Sequence, residues 1–509
     1  MFKPVDYIDN FLNSITMYRL TLYYLIGLVC IAVLASFAGI LSYSPLGILF
    51  SACFLTVICW VTNEIFSKVF EAPTNVESVY ITALILVLIV NIPKTFEDML
   101  TLFWIGVLSM ATKYIFAINK KHIFNPAAVA IVLCYFFLNQ PASWWVGNQI
   151  MMPFVLIGGL LITRKIRRED LVFTFFFVVI TLSLALDIVK GGNMIDTLNK
   201  LFLHSSLLFL GFVMLTEPLT TPPTHTLQLM YGALTGFLFL PQVHIGTLYS
   251  TPELALVIGN IFSYVVSPKE KLMLYLKERI QISPDTYDFI FNLKNKFNFT
   301  PGQYMEWTLS HNNPDNRGNR RYLTIASSPT ENDIRIGVKF YEPSSTFKKS
   351  LLNLDNQTPV VASQLAGDFV LARNPQTKYV FVAGGIGITP FRSILKYLID
   401  TQQKRDIIMI VSNRHAEDIV YEDILEQAVQ LLNIKVVHTL TDTSSIPANW
   451  TGKTGRLTPQ MIMEIAPDFK ERIFYLSGPH AMVKGFEELL KNLHVSDNHI
   501  KKDFFPGFA

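Results

Sequence analysis

Three short segments in the C-terminal half carry residue types and spacings suited to chemistry. Tyr379-Val380-Phe381-Val382-Ala383 is apolar enough for a buried strand and runs directly into Gly384-Gly385-Ile386-Gly387-Ile388-Thr389-Pro390. Glycines between a strand and a helix let the backbone approach a diphosphate, whose charge then meets the helix N-terminus. A glycine turn alone is weak evidence; this one is flanked by the elements it needs. Arg320-Arg321-Tyr322-Leu323-Thr324 places a guanidinium three residues before a hydroxyl on one strand, for which a generic basic surface is the bland alternative. Ser477-Gly478-Pro479-His480-Ala481-Met482 follows a third apolar strand.

The elements that must position these residues change period along the chain. Tyr287–Leu293 alternates as a half-buried strand, and short strands with turn signals continue to about residue 372, which predicts a small antiparallel barrel. Beyond it, strands at Ile407–Asn413, Val436–Thr441 and Ile473–Ser477 alternate with helical stretches, as in an open α/β sheet.

Taken in order, F-x-P-G-Q-Y at 299–304, the Arg321–Thr324 strand, the glycine turn and Ser477–Met482 resemble the ferredoxin–NADP reductase superfamily. The resemblance covers about residues 274–509. It implies FAD and a nicotinamide nucleotide: Arg321 on the flavin diphosphate, Thr324 near flavin N5, and Ser345, Thr346 and Lys348 on a phosphate. It also implies Gly384, Gly385, Gly387, Thr389, Pro390, Gly478, Pro479 and Met482 on the nucleotide. Ser477 stands where the family has a cysteine beside the nicotinamide. Leu323 replaces the usual aromatic, so Tyr322 or Phe508 would supply a ring. Asp503 is the acidic residue expected near the flavin, and the implied catalytic group is Thr324, Ser477 and Asp503. For the donor, Asp442 would repel a 2′-phosphate and could accept from a ribose hydroxyl, whereas Arg414 argues the other way. NADH is expected ahead of NADPH.

The N-terminal half is apolar. Hydrophobic residues make up 51% of the 509-residue chain and charged residues 16%, concentrated after residue 266. A bilayer core of about 30 Å takes roughly 17–25 residues per helix. Ten such segments are read, near 20–41, 46–67, 76–93, 97–117, 124–139, 146–163, 171–189, 200–216, 227–241 and 251–266, of which the fifth and ninth are short, with nine or eleven as the alternative counts. With a cytoplasmic N-terminus, Lys68, Lys120, Lys121, Arg164, Lys165, Arg167 and Arg168 fall inside, against Lys94, Lys190 and Lys200 outside. The expectation is a multidomain chain in the cell membrane. A polytopic helical domain (1–267) precedes a β-barrel FAD domain (268–373) and an α/β nucleotide-binding domain (374–509), with the reductase half in the cytoplasm.

Polar motifs interrupt the apolar half at Lys121-His122-Ile123-Phe124-Asn125-Pro126 and at Thr216-Glu217-Pro218, where helix caps are the alternative reading. They resemble the membrane flavoprotein subunits of Rnf complexes (D subunit) and of the sodium-translocating NADH:quinone reductase (B subunit). That resemblance implies a redox role, with Asn125, Pro126, Thr216 and Glu217 on the electron path. The Ser-Gly-Ala-Thr segment to which that family attaches FMN is absent; Ala142-Ser143-Trp144-Trp145-Val146-Gly147 stands there. Non-covalent FMN, riboflavin or a quinone pocket stays open.

Composition excludes other classes. A net charge of +3 argues against nucleic acid. The four cysteines, Cys30, Cys53, Cys59 and Cys134, all precede the soluble half, so no iron–sulfur cluster or other metal site is expected there. No apolar segment carries two histidines for a bis-haem site, and His204 reads as a core residue. The expected partners are the lipid bilayer, a membrane quinone or other redox acceptor, and other electron-transport subunits. A redox-driven sodium or proton pump, and an anchored reductase of a diffusible acceptor, are the competing readings. Glu64, Asp187 and Glu217 are the acidic residues in view for a pump.

Overall fold

The computed structural model describes residues 7–8, 11–12, 15–70, 76–118, 121–267, 271–293, 295–311, 313–315 and 318–503. The chain forms two compact units, Met1–Lys271 and Leu272–Ala509. Phe508 lies outside the described residues.

The first unit is helical: α1 Met17–Phe37, α2 Pro45–Val69, α3 Val76–Ile89, α4 Phe96–Ile115, α5 Pro126–Leu138, α6 Met152–Ile166, α7 Glu169–Val189, α8 Met194–Leu203, α9 Leu207–Phe209, α10 His225–Leu238 and α11 Pro252–Val266. Helix α9 continues as a π-helix over Leu210–Met214. Two-residue hairpins, β1 Ala117–Ile118 with β2 Lys121–His122 and β3 His244–Ile245 with β4 Leu248–Tyr249, join neighbouring helices. Among the described residues, α1, α2 and α7 are long and apolar enough to cross a membrane, and α8 with α9 form a pair bent by 57°.

Each of the ten expected segments contains a helix, yet several helices are shorter than the apolar run. Helix α5, at 13 residues, is about 20 Å long. Its start is set by Pro126 at the first helical position and by Asn125, whose side chain caps the Ala128 amide. Thr251 and Pro252 start α11 in the same way. The 146–163 segment becomes helical only at Met152, because the preceding stretch caps α3 instead. Ser143 and Trp144 N–H donate to the Ile89 carbonyl, Val146 N–H to Leu88, and Trp145 Nε1 to Val87. His204 is exposed at the end of α8, so it is not a core histidine.

The second unit opens with antiparallel strands: β5 Leu272–Leu274, β6 Leu276–Ser283, β7 Thr286–Asn292, β8 Tyr304–Leu309, β9 Arg320–Thr324, β10 Asp333–Lys339 and β11 Val360–Ala366. Where a closed barrel was expected, these form two sheets, of order β10-β7-β6 and β5-β11-β8-β9. Between β9 and β10 the ladder is interrupted, because the Arg335 N–H is taken by Ser327 Oγ rather than by a carbonyl. Phe289, Phe291, Trp307, Ile334 and Ile336 fill the space enclosed.

A six-stranded parallel sheet follows, in order β15-β14-β13-β12-β16-β17. Its strands are β12 Lys378–Gly384, β13 Asp406–Asn413, β14 Lys435–Leu440, β15 Lys453–Thr454, β16 Ile473–Ser477 and β17 Ile500–Asp503. Around these lie α13 Thr389–Asp400, α14 Glu422–Leu432, α15 Pro459–Ile465 and α16 His480–Asn492, while α12 Thr346–Leu352 precedes β11. Successive residues of β12 feed two cores, Tyr379, Phe381 and Ala383 into one and Val380 and Val382 into the other. This explains why that strand is continuously apolar.

Candidate functional site

Three strand ends meet in the second unit. Thr324 closes β9, opposite Tyr304. Ser477 and Asp503 are partners at the ends of the parallel strands β16 and β17. Thr324 Oγ1 and Ser477 Oγ each donate to Asp503 Oδ2 at 3.3 Å, and all three residues are buried. Burial pushes the Asp503 carboxyl up to about 7, against the two hydroxyls, which favour its ionised form. A carboxyl so poised can hold or release a proton near neutrality.

The glycine turn permits close packing. A methyl group on Gly387 would lie 2.4 Å from the Ser477 carbonyl oxygen, and one on Gly384 would lie 2.1 Å from Met482 Sδ. These glycines therefore seat the β12–α13 turn directly on the β16–α16 turn, which carries Ser477, Gly478, Pro479 and Met482. Gly385 takes a left-handed φ of +51°. Thr389 Oγ1 donates to the Ile386 carbonyl, and Pro390 stands in the first turn of α13, where its missing N–H costs nothing.

Arg321 is buried, with Nη1 donating to the Gly318 and Arg320 carbonyls and the guanidinium 4.9 Å over the Phe347 ring. Tyr322 meets Tyr304 edge-on, and Leu323 packs on the apolar core between the two antiparallel sheets. In the phosphate segment the groups already have partners. Ser345 Oγ caps the Lys348 amide, and Lys348 Nζ donates to the Lys339 carbonyl. Thr346 N–H donates to Asp315 Oδ2, while Thr346 Oγ1 accepts from the Asp315 N–H and contacts His311 Nε2. The Asp315 carboxylate thus occupies the position an anionic oxygen would take on that amide.

Arg414 and Asp442, opposed as signals for the donor, stand together at the ends of β13 and β14. Arg414 Nε lies 3.9 Å from Asp442 Oδ2, and the Asp442 N–H donates to the Arg414 carbonyl. Hydrogen bonds from Ser444 hold the Asp442 carboxyl below its ordinary range.

In the first unit the two polar motifs converge. Asn125 Nδ2 donates to Glu217 Oε2 at 2.9 Å, and the Asn125 N–H donates to Asn260 Oδ1 at 2.8 Å. His122 Nε2 lies 3.5 Å from Glu217 Oε1. Thr216, at the end of the π-helix, donates to the Phe212 carbonyl. Asn125, Pro126, Thr216 and Glu217 line one cavity of about 60 Å³, with Thr21, Ser78 and Thr82 among its other polar walls. Sequence reading missed Asn260, which donates to the Tyr231 hydroxyl, and Glu253, a buried carboxylate that accepts from Trp144 Nε1. A lone Asn or Glu inside an apolar run was the available signal.

Comparison with known proteins bears on the second unit. Residues 381–488 match the oxidoreductase NAD-binding domain family. The chain is 28% identical over 218 residues to the stachydrine N-demethylase reductase subunit of Rhizobium meliloti, covering 42% of this chain and 61% of that protein. It is 28% identical over 207 residues to the glycine betaine monooxygenase reductase subunit of Pseudomonas aeruginosa, covering 40% and 56%. The cytochrome b5 reductase domain of Ulva prolifera nitrate reductase superposes with a TM-score of 0.41 at 20% identity, over 47% of this chain and 98% of that one. The C-terminal half is thus similar to known reductase subunits, and its residues 381–488 to an oxidoreductase NAD-binding domain. The chain spans about 60% of the length of these curated relatives.

Two outcomes follow from the geometry. An unfolded aspartate titrates near 4, so the folded chain binds the Asp503 proton more tightly and loses stability as pH rises from about 4 to about 7. Asp503→Asn should remove that loss, seen as a smaller drop in denaturant midpoint between pH 5 and pH 8 than in the unaltered chain. Gly387→Ala should cost about 1–3 kcal/mol by overpacking against Ser477, read in the same titrations.

Proposed function

We propose that this chain is a membrane flavoprotein that takes a hydride from NADH onto FAD and passes electrons to a membrane acceptor, a quinone or a second flavin. The observation that carries the first step is the convergence of Thr324 and Ser477 on Asp503, three strand ends from two domains in one buried site. FAD, when bound, supplies a two-electron acceptor that can release electrons singly. Arg321 would hold its diphosphate, with Thr324 toward N5 and Tyr322 and Leu323 along the ring. The glycine turn with Thr389, Pro390, Gly478, Pro479 and Met482 would hold the nicotinamide nucleotide, and Asp442 its ribose. Ser477 orients Asp503, whose carboxyl keeps a proton beside the site.

The apolar helices α1, α2 and α7 support a bilayer-embedded N-terminal half, here read as ten segments with the reductase half in the cytoplasm. The cavity at Asn125, Pro126, Thr216 and Glu217 is the proposed exit for electrons. Its polar walls offer hydrogen bonds to a quinone headgroup or to non-covalent FMN or riboflavin, for which the cavity of about 60 Å³ would have to widen. The similar proteins named as reductase subunits favour a second reading, in which another electron-transport protein takes the electrons.

Two experiments test the proposal on the full-length chain. Asn125→Leu and Glu217→Leu should each lower NADH:quinone activity roughly 10–100-fold, the worth of a charge-assisted hydrogen bond, while NADH:ferricyanide activity stays near normal. Equal loss of both activities, or of neither, would refute the exit path. Replacing Thr441-Asp442 by Ser-Arg should move the kcat/KM preference from NADH toward NADPH; an unaltered chain that already prefers NADPH would refute the reading of Asp442.

A further inference from the structure

The two domains of the reductase half also meet across a buried polar seam that the reading above leaves unused. Arg392, 5% exposed and in the first turns of α13, donates from Nη1 to the Ala326 carbonyl at 2.7 Å. It forms a two-pronged pair with Glu331, at 2.9 and 3.1 Å. Its neighbour Ser393, fully buried, donates to the Ser327 carbonyl at 2.6 Å. The Arg392 guanidinium lies 5.4 Å over the ring of Tyr421. Tyr421, at a left-handed φ of +59°, donates its hydroxyl to the buried carboxylate of Asp288, which also takes Arg335 Nη1 at 2.6 Å.

Both ends of this seam adjoin the reacting site. Ala326 is two residues beyond Thr324, on the strand proposed for the flavin. Arg392 is three residues beyond Thr389, on the helix that opens at the glycine turn. Hydride transfer needs its atoms about 3–3.5 Å apart, and a 1 Å misplacement can cost about 100-fold in rate. Apolar contacts between the domains, such as Phe369 on Tyr475, set nearness and tolerate sliding. A guanidinium forked onto a carboxylate sets direction as well.

We propose that Arg392, braced by Tyr421 and Asp288, is a positioning residue that keeps the nicotinamide-side turn in register with the flavin-side strand. This rests on the reading of the cleft as the NADH–FAD site. Lysine at 392 keeps the charge but has no fork, so it would leave the register loose.

The test uses the full-length, FAD-loaded chain in detergent, reduced anaerobically by NADH in a stopped-flow instrument. In Arg392→Lys the limiting rate of flavin reduction should fall roughly 10–100-fold with the NADH concentration for half-saturation little changed. Hydrogen exchange should quicken in 326–331 and 389–393 while the rest of the sheet keeps its protection. Tyr421→Phe, which keeps the ring beneath the guanidinium, should show a smaller loss in the same direction and decides the matter if Arg392→Lys fails to retain FAD. Unaltered limiting rates in the FAD-loaded variants, or unaltered exchange in both segments, would overturn the positioning role. Absence of flavin reduction by NADH in the unaltered chain would instead refute the reading of the cleft, and the proposal with it.

Discussion

A carboxylate taken out of water needs donors close by, and the donors available to Asp503 come from two different sheets. Thr324 reaches it from an antiparallel sheet and Ser477 from a parallel one. Neither sheet could bury this group alone without leaving it short of a partner. The site therefore exists only where the two sheets are held at one separation. The same constraint keeps the carboxyl's proton affinity near neutrality, since burial and the two hydroxyls act on it in opposite directions.

Two kinds of contact set that arrangement. Within the parallel sheet, bare backbone at Gly384 and Gly387 lets two turns touch at distances a side chain would forbid, which fixes where Ser477 stands. The seam of Arg392, Glu331, Ser393, Tyr421 and Asp288 then resists sliding, because hydrogen bonds within it have direction. Close apolar packing of Phe369, Phe391 and Tyr475 supplies much of the burial beside them.

The helical unit meets a related problem by other means. Polar groups there gather into one connected set running from His122 through Glu217 and Asn125 to Asn260 and Tyr231. Each helix end that brings them together is stopped by a cap or a proline, so the apolar runs break where polar side chains are needed. Short helices and a π-turn are the structural consequence.

Much of this was legible in the chain itself, where the deciding forces are local. Apolar periodicity determined the strands and helices, Asn125-Pro126 and Thr251-Pro252 determined where helices start, and the glycine turn marked the crossover from β12 to α13. The C-terminal motifs, read in order, pointed to a reductase-type module, and residues 381–488 are similar to an oxidoreductase NAD-binding domain. What local sequence left undecided was partnership. Nothing near Arg392 or Tyr421 announces Glu331 or Asp288, because the pairs lie about 60 to 130 residues apart and form only when two sheets dock. Arg414 and Asp442 looked like rival signals until adjacent strands made them one ion pair. Asn260 and Glu253 drew no notice in the apolar run until helix packing gave each a hydrogen-bond partner. Tertiary structure decided these because burial turns a polar side chain from a solvated group into one that must find a specific partner.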